Sequence, residues 1–150
     1  MEAKAQLYVP VCLRSFQRFN MVDIKEFVGE RKMQLILEKT DEVIHTCNCC
    51  GGVQGAYHSK YRAVARHMRM MGWDVSINFF REKRWCETCQ GNTSQFIVFL
   101  YPTPPHITMA LAWWINRLSE ISSVLAVSKL EGVDKMACYK LDHYILEVNV

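Results

Sequence analysis

Two stretches of sequence carry the strongest chemical signal in the chain, Cys47-Asn-Cys-Cys-Gly-Gly52 and Cys86-Glu-Thr-Cys-Gln-Gly91. In each, a Cys-x-x-Cys pair places two thiolates on one tight turn, and the glycine that follows lets backbone amides approach the sulfurs. Two such knuckles supply four soft ligands, which is the donor set of a tetrahedral zinc ion. We therefore predict a structural Zn²⁺ bound by Cys47, Cys50, Cys86 and Cys89. Because all four ligands are thiolates, no position is left for a catalytic water.

The sequence leaves two alternatives open at this site. Cys49 could replace Cys47 as a ligand, and an iron–sulfur cluster would use the same four thiolates, although two glycine-followed knuckles around a β-rich span are more usual for zinc. Cys12 and Cys138 have no partner nearby in sequence and are expected to be buried small side chains. Seven cysteines, an odd number, in a chain without an N-terminal export signal indicate a reducing, cytoplasmic location.

The apolar pattern predicts strands around the knuckles. Residues 33–37 and 43–45 flank a polar turn and predict a hairpin, and residues 75–85 alternate and predict a strand that runs into the second knuckle. A short β-rich run follows over 96–101. The next residues, 102–106, contain three prolines and predict a linker.

Beyond the prolines, the apolar period changes from two to about 3.6. It predicts helices over 107–118, 124–130 and 135–146, with Thr108 in the first N-cap region and Gly132 at the second turn. The expected fold class is α+β, a β-rich zinc ribbon followed by a small helix-turn-helix-like module. The expected organisation is an N-terminal element without an assigned role (1–32), the zinc-ribbon module (33–101), the linker (102–106) and the helical module (107–150).

The formal net charge of +3 conceals a basic segment in the middle of the chain. Residues 60–84 contain seven Lys or Arg against two Asp or Glu, with aromatic residues between them. This pattern favours a nucleic-acid surface over a merely solvated charged face. Residues 85–150 contain four basic and six acidic residues, so an ordinary helical cap fits them as well as a DNA-reading module. The candidate nucleic-acid contacts are Lys60, Tyr61, Arg62, Arg66, Arg69, Arg81, Lys83 and Arg84, together with Lys135, Tyr139 and Lys140 on the outward face of the last helix.

The order of four motifs resembles a known family. The motifs are Cys47-x-x-Cys50-Gly51, His58-Ser-Lys-Tyr61-Arg62, Gly72-x-x-Val75 and Arg81-x-x-Arg84-Trp85-Cys86. They resemble the zinc-finger region near the N-terminus of transposases of the ISL-three insertion-sequence family, in which a helix-turn-helix follows the finger. The resemblance covers residues 33–144 and implies DNA binding. The second knuckle is tighter than the longer spacing frequent in that family. A transposase of this type also has a long C-terminal catalytic domain, for which a chain ending at Val150 leaves no room, so we do not expect an enzyme.

These observations combine into one leading hypothesis and two rivals. The leading hypothesis is a zinc-stabilised protein that binds double-stranded DNA, with a homodimer possible and with neither a membrane nor a small-molecule substrate as partner. The longest uncharged stretch, 90–116, is interrupted by prolines and does not read as a membrane span. One rival is a zinc-stabilised interaction module that uses Trp113, Trp114 and the apolar residues 145–150. The other is an RNA-binding zinc ribbon.

Overall fold

The structure is a computed structural model that describes Phe16 and residues 18–41 and 44–148. A five-stranded sheet precedes three helices, which confirms the expected α+β class. The elements are β1 (Phe19–Phe27), β2 (Lys32–Lys39), β3 (Tyr57–Arg66), β4 (Asp74–Cys86), β5 (Gly91–Ser94), α1 (Met109–Ile121), α2 (Val124–Glu131) and α3 (Lys135–Val148).

The 13-residue strand β4 organises the sheet, whose order is β1-β2-β4-β3. One side of β4 pairs in parallel with β2 over residues 74–78 and antiparallel with β5 over residues 83–86. Its other side pairs antiparallel with β3 from Tyr57 to Arg66. The strand predicted over 75–85 is therefore confirmed, and it delivers Cys86 directly from the centre of the sheet to the second knuckle.

The hairpin predicted over 33–45 is wrong. β2 pairs with β1 on one side and with β4 on the other, so neither of its edges is available to residues 44–45, and Val43 lies outside the described residues. The hairpin that does form joins β1 to β2 through a 3-10 turn at Val28–Glu30. A register shift between Met21 and Asp23 interrupts the alternation of β1, which hides this strand from a period-two pattern.

One face of the sheet is buried. Leu35, Val75, Ile77 and Phe79 point from β2 and β4 into a core that also contains Phe16, Ile97 and Phe99. The run predicted as β-rich over 96–101 is not a strand, because the amide of Leu100 donates to the carbonyl of Ile97 in a turn. The alternating apolar pattern of this run still indicates which side chains are buried, because Ile97, Phe99 and Tyr101 are all buried.

All three predicted helices are present. Thr108 is the N-cap of α1, because its Oγ1 accepts the amide of Leu111 at 3.2 Å, and Gly132 ends α2 with a φ of +64°. The helices enclose a second core that includes Leu111, Leu141 and Cys138. Cys138 is thus buried as expected, whereas Cys12 lies outside the described residues. None of the three helices is both long and apolar enough to cross a membrane.

The proline segment is attached to the sheet. The amide of Arg66 donates to the carbonyl of His106 at 3.0 Å, and the amide of Thr108 donates back to the carbonyl of Arg66 at 2.9 Å. The guanidinium of Arg66 also donates to the carbonyl of Gly132 at 3.4 Å. The end of β3 is therefore the point where the sheet and the helical module meet.

Candidate metal centre and basic surface

The four cysteines of the two knuckles converge on one point. Their Sγ atoms all lie within 4.8 Å of one another, with Cys47 and Cys89 at 3.8 Å and Cys50 and Cys86 at 3.4 Å. A tetrahedral zinc with Zn–S bonds of about 2.3 Å places its sulfurs about 3.8 Å apart. Four thiols at these separations therefore fit a tetrahedral metal ion, and the donor set fits zinc.

Backbone amides support the first knuckle as the sequence predicted. The amide of Cys49 donates to the Sγ of Cys47 at 3.3 Å, and the amide of Gly52 donates to the Sγ of Cys50 at 3.4 Å. Gly51 adopts a φ of +74°, which an L side chain rarely adopts. The side chain of Cys49 is exposed and does not belong to the group of four. Cys49 thus contributes an amide to the site, which favours Cys47 as the ligand.

The thiols strongly influence one another. Burial raises the pKa of Cys47, but hydrogen bonds from the Thr93 side chain and from the amides of Cys50 and Cys49 outweigh it and lower that pKa to about 6. The hydrogen bond with Cys86 is the main cause that raises the pKa of Cys89 to about 12. Several thiolates at this distance repel one another unless a cation lies between them. A divalent ion would supply that charge and displace the remaining protons.

A metal here would cross-link three parts of the chain. Cys86 ends β4, Cys89 lies in the turn before β5, and the loop of the first knuckle is bridged by Cys47 to Gln95. Gln54, which is buried, ties the same loop to β5 by donating from Nε2 to the carbonyl of Thr93 at 2.8 Å. These attachments give the ion a structural position at one end of the sheet.

An acidic residue that the sequence analysis did not single out lies beside the first knuckle. Glu82 accepts from Lys39 Nζ at 2.8 Å and from Arg84 Nε at 2.9 Å, and its Oε2 lies 3.2 Å from His45 Nδ1. Burial raises the pKa of Glu82, but the hydrogen bonds from Lys39 and Arg84 lower it by more, so it lies below the ordinary value. Burial and the nearby Arg84 lower the pKa of His45. The only sequence signal was one acid among the basic residues of β4.

Four of the candidate DNA contacts are used inside the protein. Arg66, Arg69, Arg81 and Arg84 each donate to a partner near the sheet or at the end of α2. Arg66, Arg69 and Arg84 also pair with a carboxylate, which offsets part of their charge, whereas Arg81 donates to a neutral carbonyl and keeps its charge. A charge count cannot reveal such partners. They are Glu131 and Gly132 for Arg66, Asp74 and Leu130 for Arg69, Gln95 for Arg81, and Glu82 and Gly55 for Arg84.

The other basic candidates of the segment are exposed. Lys60, Arg62 and Lys83 form no ion pair with any residue that the structure describes. The Nζ of Lys60 lies 4.9 Å from the Phe80 ring centroid, and that of Lys83 lies 5.7 Å from the Tyr61 ring centroid. The hydroxyl of Tyr61 donates to Ser94 at 3.1 Å, so this ring is fixed at the β3–β4–β5 end of the sheet.

The helical candidates lie on α3, after a short turn. Ser128 stabilises the turn by donating from Oγ to the carbonyl of Val133 at 2.6 Å, and Asp134 accepts the first amides of α3. Lys135, Tyr139 and Lys140 are exposed on α3, with the Nζ of Lys135 6.0 Å from the Tyr139 ring centroid. Val133, Cys138 and Leu141 are instead buried in the core of the helical module.

Comparison of the chain with family models, with curated proteins and with solved structures finds no match. The function of the protein is therefore inferred from its metal centre, from the basic residues of β3 and β4 and from the exposed residues of α3.

Proposed function

We propose that the protein is a zinc-stabilised DNA-binding protein related to the N-terminal region of ISL-three family transposases. Zinc is favoured by four thiolates with near-tetrahedral spacing and by two N–H···S hydrogen bonds at the first knuckle. A closed set of four thiolates gives the ion a structural role, in which its binding free energy contributes to folding.

The helix-turn-helix arrangement carries the DNA-binding part of the proposal. Three residues, 132–134, separate α2 from α3, and the exposed side chains of Lys135, Tyr139 and Lys140 lie in the first half of α3. In helix-turn-helix proteins, this half of the second helix contacts base edges in the major groove. The hydrogen bond from Arg66 to Gly132 ties the turn to β3, where the free cations Lys60 and Arg62 could contact phosphates.

Salt dependence tests this proposal. Binding of a labelled 24-base-pair random duplex, followed by fluorescence anisotropy, should weaken steeply between 50 and 200 mM salt, because each neutralised phosphate contributes about −0.9 to the logarithmic slope. Replacing both lysines of α3 (Lys135→Glu and Lys140→Glu) should reduce that slope, whereas the matched control Lys25→Glu on β1 should leave it unchanged. A flat salt response of the zinc-loaded protein would refute duplex binding.

Sequence preference is tested separately. Selection from random duplexes should recover a motif with the zinc-loaded protein and none after chelation, because metal loss would release the end of β4. Tyr139→Ala should change the preferred sequence, whereas Arg62→Glu should weaken binding to all sequences alike. Recovery of the same motif by zinc-loaded and zinc-free protein would argue against the structural role of the metal.

A protein-interaction module is the second candidate, because large apolar side chains of the helices are exposed. Ile121 is 83% exposed and Leu130 58%, and Trp113 and Leu125 are also exposed on α1 and α2. Large apolar side chains are typical of an association surface where they form a contiguous exposed patch. Light scattering after gel filtration would favour this candidate if the protein forms a stable oligomer that ignores duplex DNA.

A further inference from the structure

The sheet has a second face, opposite the core, that presents aromatic and basic side chains. In β4, Asn78 and Phe80 alternate with the buried Ile77 and Phe79, so they lie on the other side of the sheet. The register between β3 and β4 then shows which β3 residues lie on the same side of the sheet. We call this surface the outer face, and it comprises Tyr57, Lys60, Arg62 and Val64 of β3 with Asn78, Phe80 and Arg84 of β4.

Two aromatic rings of the outer face are exposed, and cations accompany both. Phe80 is 49% exposed, and Lys60 and Arg62 lie 4.9 and 5.5 Å from its ring centroid. Tyr57 is 53% exposed, and Arg84 lies 5.9 Å from its ring centroid. Because Tyr57 pairs with Arg84, the two rings are four residues apart along β4, or about 13 Å.

Exposed rings next to cations indicate the chemistry of a ligand. A nucleobase can stack on Phe80 or Tyr57 only if it is unpaired, because base pairing and stacking in a duplex hide its faces. Lys60 and Arg62 are free to contact the phosphates that join such bases. We propose that the outer face binds single-stranded nucleic acid, with bases stacked on Phe80 and Tyr57 and with phosphates at Lys60 and Arg62.

The charges on the outer face indicate where a bound nucleic-acid strand would lie. Glu82 belongs to the same side of β4, but Lys39 and Arg84 neutralise it. The exposed acids Asp23 and Glu38 lie on β1 and β2. On β1 the exposed Lys25 offsets Asp23, so the excess of positive charge that favours a polyanion lies along β3 and β4.

A polar group at the centre of the path has no partner. Asn78 is 6% exposed, and its Nδ2 finds no hydrogen-bond acceptor among the residues the structure describes. Ile36 and Val64 flank it on the neighbouring strands. Because that Nδ2 atom is also shielded from solvent, Asn78 lies beneath the path and is not one of its contacts.

This proposal goes beyond duplex binding: it shares Lys60 and Arg62 with that proposal, but it needs the rings of Phe80 and Tyr57 and does not need α3. The test compares zinc-loaded wild type, Phe80→Leu, Tyr57→Leu and the double variant, using labelled dT12, labelled rU12 and a 24-base-pair duplex at one salt concentration. Loss of one stacked base should weaken single-strand binding roughly 5- to 150-fold. Duplex affinity should not change. Phe96→Leu is the matched control, because Phe96 is also exposed but lies outside the outer face.

An abasic strand with the same number of phosphates separates stacking from charge. Stacking predicts that the abasic strand binds the wild type as weakly as dT12 binds the double variant. Tighter binding of dT12 than of rU12 would identify single-stranded DNA as the preferred ligand, and the reverse would identify single-stranded RNA. Either result supports the proposal. Equal binding of abasic and dT12 strands, unchanged dT12 binding by the double variant, or self-association abolished by Phe80→Leu would overturn it. Lys135→Glu and Lys140→Glu should weaken only duplex binding, whereas Phe80→Leu and Tyr57→Leu should weaken only single-strand binding. Failure of one proposal can therefore be recognised independently of the other.

Discussion

Cys47 and Cys49 give the sharpest test of the metal centre, because they are two residues apart and the structure assigns them different tasks. The Sγ of Cys47 lies 3.8 Å from that of Cys89 and accepts the amide of Cys49. The side chain of Cys49 is exposed. We expect Cys47→Ser to lose metal affinity and Cys49→Ser to retain it, since serine at position 49 still supplies the amide.

The size of the effect follows from linkage. Zinc buffered at about 100 times its dissociation constant stabilises the folded chain by about 2.7 kcal/mol. Losing even an outer-shell contact weakens metal affinity up to about 100-fold, so losing a thiolate ligand weakens it at least that much. Stabilisation would then fall to about 0.4 kcal/mol. For a chain of 150 residues, the difference corresponds to a decrease in Tm of roughly 5–9 °C.

Metal content and Co²⁺ substitution provide the assay. Wild type and Cys49→Ser should bind one metal ion per chain with the intense charge-transfer bands of four thiolates, whereas Cys47→Ser should show weaker bands and the lower Tm. Equal metal loss in both variants would refute the assignment of Cys47. Iron with acid-labile sulfide in anaerobically purified protein would instead identify a cluster.

Three further predictions concern the scaffold, each read from chemical denaturation of the zinc-loaded protein. Glu82→Gln should cost about 1–3 kcal/mol at pH 7, because Arg84, which is largely buried, loses its carboxylate partner. Because the folded pKa of Glu82 is depressed, this contribution is complete above the unfolded pKa and is lost as pH falls through the folded pKa, so a difference that persists at low pH would contradict this origin. Gly132→Ala should cost about 1–2 kcal/mol because of its φ of +64°, with Gly132→Asn costing less, and equal losses would argue against a backbone cause. Thr108→Val should cost about 1–2 kcal/mol, because Oγ1 both caps α1 and lies 2.8 Å from His67 Nδ1, and Thr108→Ser should restore most of it.

Local chemistry made much of the structure predictable from sequence. The Cys-x-x-Cys knuckles need only a few neighbouring residues to form, and the four predicted ligands do lie together. Helix boundaries near Thr108 and Gly132 were likewise set by capping, which acts within one turn. Each of these features depends on residues close in sequence.

Long-range pairing explains what the sequence did not show. The register shift in β1 broke the alternation that would have identified the strand, and β2 found its partners in residues 19–27 and 74–78. The arginines that meet the helical module could not be told from free ones, because Arg66 lies 65 residues before its partner Glu131. Exposure of Phe80 also depends on which face of β4 the core covers, which alternation alone leaves undecided.

The attachment of His106 and Thr108 to Arg66 also affects how the protein should unfold. Both follow the prolines, and each forms one main-chain hydrogen bond with Arg66, the last residue of β3. Opening the helical module would therefore break the edge of the sheet, so the two halves should behave as one cooperative unit with a single unfolding transition. In a DNA complex, this coupling would hold α3 and β3 at a fixed distance. The separation between the DNA contacts of α3 and those of β3 would then also be fixed.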